Sequence, residues 1–296
     1  MKDKLNFNTK LLWKSYGIGL ISVFLFFTLT SFGLFGSLPD IQELENPKSN
    51  LASEIYSSDG VMIGKYYIDN RTNIEFKDLC PNLVNALIAT EDERFYSHSG
   101  IDLRATFRAI FLLGSEGGGS TITQQLAKNM FNNSGNKSIF KRIIEKAQEY
   151  IIAIQLERRY TKNEIIAMYF NTVDFVNHAV GVHSAAQVYF NKKPKDLSVI
   201  ESAVLVGMLK APSAYNPVRN PNDSKRRRNV VMYQMVKNNY LTQNQYNDLK
   251  EKETVLNFTP ISHVEGLAPY FRDVLAKKQK KYFKENPKQD GTTYNI

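Results

Sequence analysis

An apolar run without charged residues, from Ser15 to Gly36, constrains the fold more than any other feature of this sequence. In a helix the run would extend about 33 Å, which matches the hydrocarbon thickness of a bilayer. Lysines precede the run, and Asp40, Glu43 and Glu45 follow it. The excess of positive charge on the first side predicts a cytoplasmic N-terminus, with the rest of the chain on the external or periplasmic side of the cytoplasmic (inner) membrane.

A signal peptide that is cleaved after export is the alternative interpretation of this run. Signal peptides usually have a shorter apolar core, and Leu34 stands where cleavage near Gly36 requires a small residue. We therefore predict a retained single-pass transmembrane helix at 15–36, a cytoplasmic tail at 1–14 and a linker at 37–53.

Composition and charge exclude several classes of protein. Hydrophobic residues make up 43% of the chain, which is enough for a folded core. The single cysteine, Cys80, excludes an internal disulfide and a cysteine-based zinc site, and the histidines are scattered. The net charge of +9 is concentrated at the two ends of the chain, so it indicates a membrane surface and no nucleic-acid partner.

The exported part is predicted to be mainly α-helical, with one small β-hairpin near its start. Apolar residues alternate between about 54 and 76, with Asp59-Gly60 as the turn. Helical periodicity begins after Pro81 and recurs at about 120–131, 138–160, 162–170, 180–190 and 197–210, with breaks at 114–119, 132–136 and 211–217. We expect one domain at 54–240, followed by a basic tail at 241–296.

The first candidate site is EDERFYSHSG at 91–100, where carboxylates follow an apolar helix. Burial at such a helix end would raise the pKa of Glu91 and suit it to act as a base. From the pattern alone, an ordinary exposed acidic helix end is the more common explanation. His98 could equally cap a helix or pack against one.

The second candidate site is the glycine-rich GGGSTITQQLAKN at 117–129. Ser120 or Thr121 can cap the helix that follows, and Gln124 would complete a capping box with Thr121. A glycine-rich loop before a helix N-terminus favours anion binding, and Lys128 adds a positive charge on the polar face that we predict for Thr121 and Gln124. A flexible loop before a surface helix explains the glycines but not the uncharged Ser/Thr/Gln run.

A third candidate is a stripe on the long helix at 138–160. Arg142, Lys146 and Glu149 follow helical spacing and would lie on one face. Ordinary salt bridges at this spacing explain the stripe about as well as ligand binding does.

Together these strings resemble the family 51 glycosyltransferases, the peptidoglycan polymerases found alone or at the front of class A penicillin-binding proteins. The family's first motif, E-D-x-x-F-x-x-H-x-G, is matched at Glu91, Asp92, Phe95, His98 and Gly100. Its second motif, G-x-S-T-I-T-Q-Q-L-x-K-N, is matched from Gly118 to Asn129. The resemblance covers about 55–260, with fourth and fifth motifs at 156–171 and 201–217.

The third motif of the family, R-K-x-x-E, is matched incompletely. Lys146 and Glu149 agree with it, but Glu145 stands in place of the arginine. Lys141 or Arg142, one turn earlier, could supply the missing phosphate contact.

The resemblance implies a lysozyme-like, two-lobed helical domain that joins lipid II units through β-1,4 bonds, with inversion and release of undecaprenyl pyrophosphate. It implies Glu91 as the base and Glu149 as the second catalytic acidic residue, which would orient Lys146 or the donor. Substrate-binding residues would be Ser120, Thr121, Gln124, Gln125, Lys128, Asn129, Lys146 and Arg142. Of the two glutamines, Gln125 is placed nearer the buried face of the helix, which we predict to carry Ile122, Leu126 and Met130. Supporting residues would be Asp92, Phe95, His98 and Gly100.

The resemblance also leaves room for a divalent cation, Mg²⁺ or Mn²⁺, at the pyrophosphate, without certain protein ligands. Expected partners are lipid II, the growing glycan chain, the membrane and proteins of cell-wall synthesis or division. Two rival functions stay open, a lysozyme-like hydrolase and a non-catalytic scaffold for cell-wall assembly. The basic tail resembles the linker to a transpeptidase domain, and the Lys-Thr-Gly motif of that domain does not occur.

Overall fold

The computed structural model describes residues 9–38, 53–56, 58–60, 62–66, 73–111, 119–130 and 138–259, with short pieces of helix between 270 and 282. Within these ranges the chain is mainly helical, as predicted. Most of the predicted tail after 259 and the glycine-rich loop before Gly119 lie outside the described residues.

The N-terminal helix, α1 (Thr9–Ser31), is long and apolar enough to cross a membrane. It begins before the predicted Ser15, so it includes two lysines, and it ends before the predicted Gly36. Its end is explained by Gly33, which has a φ of +78° and donates its N–H to the Thr30 carbonyl at 3.0 Å. Glycine adopts this left-handed conformation without strain and commonly ends helices.

The predicted β-hairpin is present. Strand β1 (Ser53–Tyr56) pairs antiparallel with β2 (Met62–Tyr66), and Ser53 lies opposite Tyr66. The register shifts between Ile55 and Tyr56, and Gly60 in the turn has a φ of +80°.

The helices predicted up to 210 occur in the predicted order, and two more, at 221–237 and 243–250, follow the last predicted range. The helices after α1 are α2 (Pro81–Glu91), α3 (Leu103–Phe111), α4 (Ile122–Asn129), α5 (Ile139–Arg159), α6 (Lys162–Thr172), α7 (Val182–Phe190), α8 (Val199–Met208), α9 (Pro221–Lys237) and α10 (Gln243–Lys250). Short 3₁₀ helices occur at Phe76–Asp78, Phe95–Ser97 and Pro194–Asp196. Helix α3 was not predicted, although Leu103 and Phe107 lie four residues apart, as on one face of a helix.

The chain forms two compact units. The first comprises Met1–Asp40 and His98–Tyr160, and in it α1 and α4 both pack on α5. The second comprises Ile41–Ser97 and Thr161–Ile296, and its core lies where α2, α8 and α9 meet. Fully or almost fully buried side chains in that core include Leu83, Leu87, Ile88, Val204, Leu205, Val206, Val231, Met232 and Met235.

Candidate active site

The start of α4 is fixed by a capping box that the sequence predicts. The Gln124 N–H donates to Thr121 Oγ1 at 3.1 Å, and the Thr121 N–H donates to Gln124 Oε1 at 3.2 Å. The Thr121 hydroxyl donates to the Gly100 carbonyl at 2.6 Å. These bonds join the first and second motifs within one unit, so the backbone at 120–121 has a defined position.

Gly100 supports this arrangement because no other residue fits its place. Its φ is +87°, and a Cβ added there would lie 2.8 Å from the Ala153 carbonyl oxygen on α5. Real Cβ atoms do not approach an oxygen so closely. Gly100 therefore allows the first motif to pack directly on the long helix.

The two glutamines of the second motif differ from the prediction. Gln124 was placed on a polar face with Lys128, but its side chain is 0% exposed, and Gln125 is only half-buried. The reason is that α4 is covered on several faces, since Ile122, Thr123 and Leu126 are buried as well. The Gln124 Nε2 has no hydrogen-bond partner within the described part of the chain, so this amide is a buried donor.

A cationic cluster forms around Lys146 on α5. Its ammonium donates to Ser120 Oγ at 3.0 Å and to the Glu149 carboxylate at 2.7 Å, and it lies 5.4 Å from the Tyr150 ring centroid. Glu149 is only 8% exposed, whereas the Lys146 side chain is partly open to solvent. The cluster therefore presents a hydroxyl and an ammonium whose orientation is set by a buried carboxylate.

The same stretch of α5 contacts the end of the apolar helix α1. The Gln148 side chain donates to the Gly36 carbonyl at 3.4 Å, and the ring centroids of Phe27 and Tyr150 are 6.4 Å apart. Both contacts lie within the first unit. The Lys146 cluster thus adjoins the point where the chain leaves α1.

The other predicted cations are exposed. Lys128, Lys141 and Arg142 have accessible side chains, and none forms an ion pair among the residues that the structure describes. Asn129 is exposed as well. Glu145, which replaces the family's arginine, is half-buried. Lys141 and Arg142 remain available for the role of that arginine.

Glu91 is the last residue of α2 and belongs to the second unit. It is half-buried, whereas Asp92, which caps the helix, and Phe95 are buried. The Lys162 ammonium lies 4.3 Å from the Phe95 ring centroid, a cation–π distance. His98 is half-buried and begins the segment of the first unit. Asp92 and Phe95 therefore fix the helix end that carries Glu91.

Tyr169 on α6 is a neighbour of Glu91 that the sequence analysis missed. Its side chain is 2% exposed. Burial raises the pKa of the Tyr169 hydroxyl, and the Glu91 carboxylate raises it further. A neutral phenol thus lies within electrostatic reach of Glu91. The apolar IIAMYF pattern around Tyr169 indicates only a buried helix face, so no local signal distinguishes this tyrosine from ordinary core residues.

Within the described ranges, no three His, Cys, Asp or Glu side chains cluster as metal ligands. Glu149 is the carboxylate of the cationic cluster, and Lys146 already occupies one of its oxygens.

Comparison with known proteins identifies the family. Residues 59–236 match the family described as Transglycosylase, which is more than half of the chain. The chain belongs to the transglycosylase family. The predicted membership of a glycosyltransferase family is thereby confirmed, and the family match at 59–236 lies inside the predicted domain at 54–240.

Curated relatives of this transglycosylase include two named penicillin-binding protein 1A. The protein from Pseudomonas aeruginosa is 36% identical over 269 residues, which cover 90% of this chain and 32% of the relative. The protein from Escherichia coli is 35% identical over 258 residues, which cover 86% of this chain and 30% of the relative. The chain thus spans about a third of the length of these relatives.

Among solved structures, penicillin-binding protein 1A from Haemophilus influenzae is similar to this chain. The TM-score is 0.44 and the sequence identity 21%, over 81% of this chain and 25% of that protein.

Proposed function

We propose that this chain is a membrane-anchored peptidoglycan glycosyltransferase that polymerises lipid II into β-1,4-linked glycan strands. In this reaction the C4 hydroxyl of one disaccharide attacks the anomeric carbon of the lipid-linked chain. The anomeric carbon inverts, and undecaprenyl pyrophosphate leaves. Membership of the transglycosylase family supports sugar transfer, and the length of chain shared with the penicillin-binding proteins supports peptidoglycan as its product.

Glu91 is the proposed base that removes the proton from the attacking hydroxyl. A sugar hydroxyl is a weak nucleophile, so a base within hydrogen-bond distance accelerates its attack. Glu91 is half-buried at the end of a rigid helix whose capping residue, Asp92, is buried. The pyrophosphate is a good leaving group, so the reaction needs no dedicated acid.

The Lys146 cluster is the observation that carries the proposal. An ammonium 3.0 Å from Ser120 Oγ can stabilise the negative charge that develops on a departing pyrophosphate. Glu149 holds this ammonium in one orientation, and Lys128 and Arg142 can approach the same anion from exposed positions. A lysozyme-like hydrolase has no need for such a group of cations.

The position of the cluster suits a substrate that is held in a membrane. Gln148, two residues from Lys146, contacts the chain where it leaves α1. The first unit also exposes large apolar side chains on α3 and α5, namely Leu103, Phe107, Ile139, Phe140 and Ile143. A lipid surface would cover them. We propose that α1 anchors the chain with its N-terminus in the cytoplasm, as the lysines before it indicate.

A divalent cation fits this site only with the help of the substrate. Mg²⁺ commonly binds one or two carboxylates together with substrate phosphates. Here Glu149 is the available carboxylate, so pyrophosphate oxygens would supply most of the ligands. The metal would add positive charge to the leaving group, while Lys146 and Ser120 orient that group.

Purified full-length chain in detergent micelles should convert lipid II to polymer that lysozyme digests. We expect Glu91→Gln to reduce this rate by at least about 10²-fold, because positioned bases typically contribute that much. The matched control is Glu93→Gln, which removes an exposed carboxylate from the same loop and should keep the activity. Equal activity of Glu91→Gln and the wild type would contradict the assignment of the base.

Each rival function predicts a result that differs from that of a polymerase. A hydrolase would release soluble fragments from preformed peptidoglycan and make no polymer from lipid II. A scaffold would keep its cellular role in the Glu91→Gln variant. Proteins of cell-wall synthesis or division are proposed partners, and co-purification of the full-length chain under mild detergent would identify them.

A further inference from the structure

A group of buried hydrogen-bond donors lies in the second unit, where α8 connects to α9. The connector runs from 209 to 220, and its residue Asn216 is 0% exposed. Ser224, in the first turn of α9, is 3% exposed. Asn216 Nδ2, Ser224 Oγ and Arg227 Nε are all buried, and within the described part of the chain none has a hydrogen-bond partner.

The Asn216 side chain has a fixed orientation, in which its oxygen is hydrogen-bonded and its NH₂ group is not. Its Oδ1 accepts the N–H of Val218 at 2.9 Å and the N–H of Arg219 at 3.2 Å. Because both partners are donors, the side-chain oxygen must face them, and the NH₂ group must face the other way. A buried amide donor without an acceptor costs about 1–3 kcal/mol, so such groups are rare in native proteins.

Arg227 places a positively charged guanidinium in the same region. Its guanidinium carbon lies 5.9 Å from the ring centroid of Tyr215, the residue before Asn216. Its Cγ would lie 3.2 Å from a Cβ on Gly207, so the stem is held tightly against α8. No carboxylate pairs with it among the described residues. Partly buried arginines in proteins normally have an anionic partner.

Ser224 completes the set because it lies one turn before Arg227 on α9. Residues three apart on a helix share a face, so Ser224 lies on the face of α9 that carries Arg227 against Gly207 and Tyr215. The group therefore contains an amide NH₂, a hydroxyl and a guanidinium. All three groups are donors, so an oxyanion could accept a hydrogen bond from each residue.

We propose that Asn216, Ser224 and Arg227 form a binding site for a small oxyanion, a carboxylate or a phosphate. The site is separate from Glu91. The other end of α9 reaches α2, where Asn238 Nδ2 donates to the Ala89 carbonyl at 3.5 Å. Arg227 precedes Asn238 by eleven residues, which is about 16 Å along a helix. A bound anion at this distance would not take part in the chemical step.

The proposal does not depend on the polymerase activity, because binding is measured without lipid II. Thermal unfolding of the full-length chain in detergent is followed against inorganic phosphate at constant ionic strength set with chloride. A second series uses a short peptide with a free C-terminal carboxylate, and a third uses the same peptide amidated. We expect the melting temperature to rise by about 3–5 °C at ten times the Kd of the preferred anion.

Asn216→Asp is the most informative variant. It keeps the acceptor for Val218 and Arg219 and replaces the spare donor with a negative charge beside Arg227. We expect a higher melting temperature without any ligand, and at least a tenfold loss of affinity for the anion. Arg227→Gln should also lose the affinity, but without the gain in stability.

The control is Arg226→Gln, which removes an exposed, neighbouring cation that pairs with Asp223. It should keep the response of the wild type. A response to phosphate alone indicates a free phosphate, and a response to the acidic but not the amidated peptide indicates a carboxylate ligand. The proposal is overturned if the wild type responds to neither anion, or if Asn216→Asp responds as the wild type does.

Discussion

Replacing Gly100 by alanine should destabilise the fold in a way that separates backbone strain from steric overlap. Gly100 has a φ of +87°, and a Cβ there would lie 2.8 Å from the Ala153 carbonyl oxygen. The left-handed conformation costs a non-glycine residue about 1–2 kcal/mol. Relief of the overlap by a shift of α5 should cost about 1–3 kcal/mol more, as overpacking generally does. The expected total is about 2–5 kcal/mol.

Gly60 and Gly181 provide matched controls for the two contributions. Gly60 has a φ of +80° with no atom within 4 Å of the added Cβ, so its alanine variant should show the strain alone. Gly181 has a φ of +79° and an intermediate approach of 3.1 Å to the Asn171 carbonyl. The loss of stability should therefore increase from Gly60→Ala through Gly181→Ala to Gly100→Ala.

Thermal unfolding of the full-length chain measures this series. At about 2–4 °C per kcal/mol for a domain of this size, Gly100→Ala should lower the melting temperature by at least about 4 °C. Polymerisation of lipid II should decrease as well. The Gly100 carbonyl accepts the hydroxyl of Thr121 and so fixes the backbone beside Ser120. Equal losses in Gly60→Ala and Gly100→Ala would refute the role of the close approach to Ala153.

Further predictions concern a cap, an ion pair and a buried cation. Thr121→Val keeps the shape but removes the cap of α4 and leaves the Gly100 carbonyl unpaired, so it should cost about 2–4 kcal/mol in unfolding experiments. Burial of Glu201 raises its pKa, but hydrogen bonds from Lys192 and Ser198 outweigh this and hold the pKa below its ordinary value. The stability that depends on this carboxylate is thus present above the pKa of the unfolded state and is lost as the pH falls through the folded pKa. We therefore expect Glu201→Gln to flatten the pH profile of the melting temperature below about pH 4.5. Arg228→Lys should increase hydrogen exchange in α10, because a lysine cannot bond both Thr254 and the Lys250 carbonyl as the fully buried guanidinium does.

Two of these predictions have a control variant within the chain, and the third has an outcome that would contradict it. Thr161→Val removes an exposed cap of the same type and should cost only about 1 kcal/mol, so an equal loss would contradict the role of burial. A pH profile that Glu201→Gln leaves unchanged would contradict the reasoning about that ion pair. Arg226→Lys should leave the exchange of α10 unchanged because Arg226 is exposed, and equal exchange in both arginine variants would argue against an anchoring role for Arg228.

Local features were predictable from the sequence because neighbours along the chain decide them. The capping box of Thr121 and Gln124 depends on residues three apart, and Glu91 ends its helix because the apolar period ends there. The bounds of α1 were predicted less well. Hydrophobicity indicates where a span is apolar, whereas the left-handed Gly33 decides where the helix ends.

Only the tertiary structure decided which individual polar residues are buried and which groups they lie near. Gln124 and Gln125 are adjacent and chemically identical, and the packing of α4 on α5 buries the first of them. Tyr169 near Glu91 and the unpaired donor of Asn216 also left no mark in the sequence pattern.

The sequence by itself therefore determined the apolar N-terminal helix, the order of most of the other helices and the types of residue in each candidate site. The tertiary structure decided which of these residues meet, as in the contact between Lys146 and Ser120, 26 positions apart. The physical reason is that helix periodicity and capping depend on interactions across three or four residues. Burial and charge pairing depend on which helix faces pack together, and many residues distant in sequence contribute to that packing.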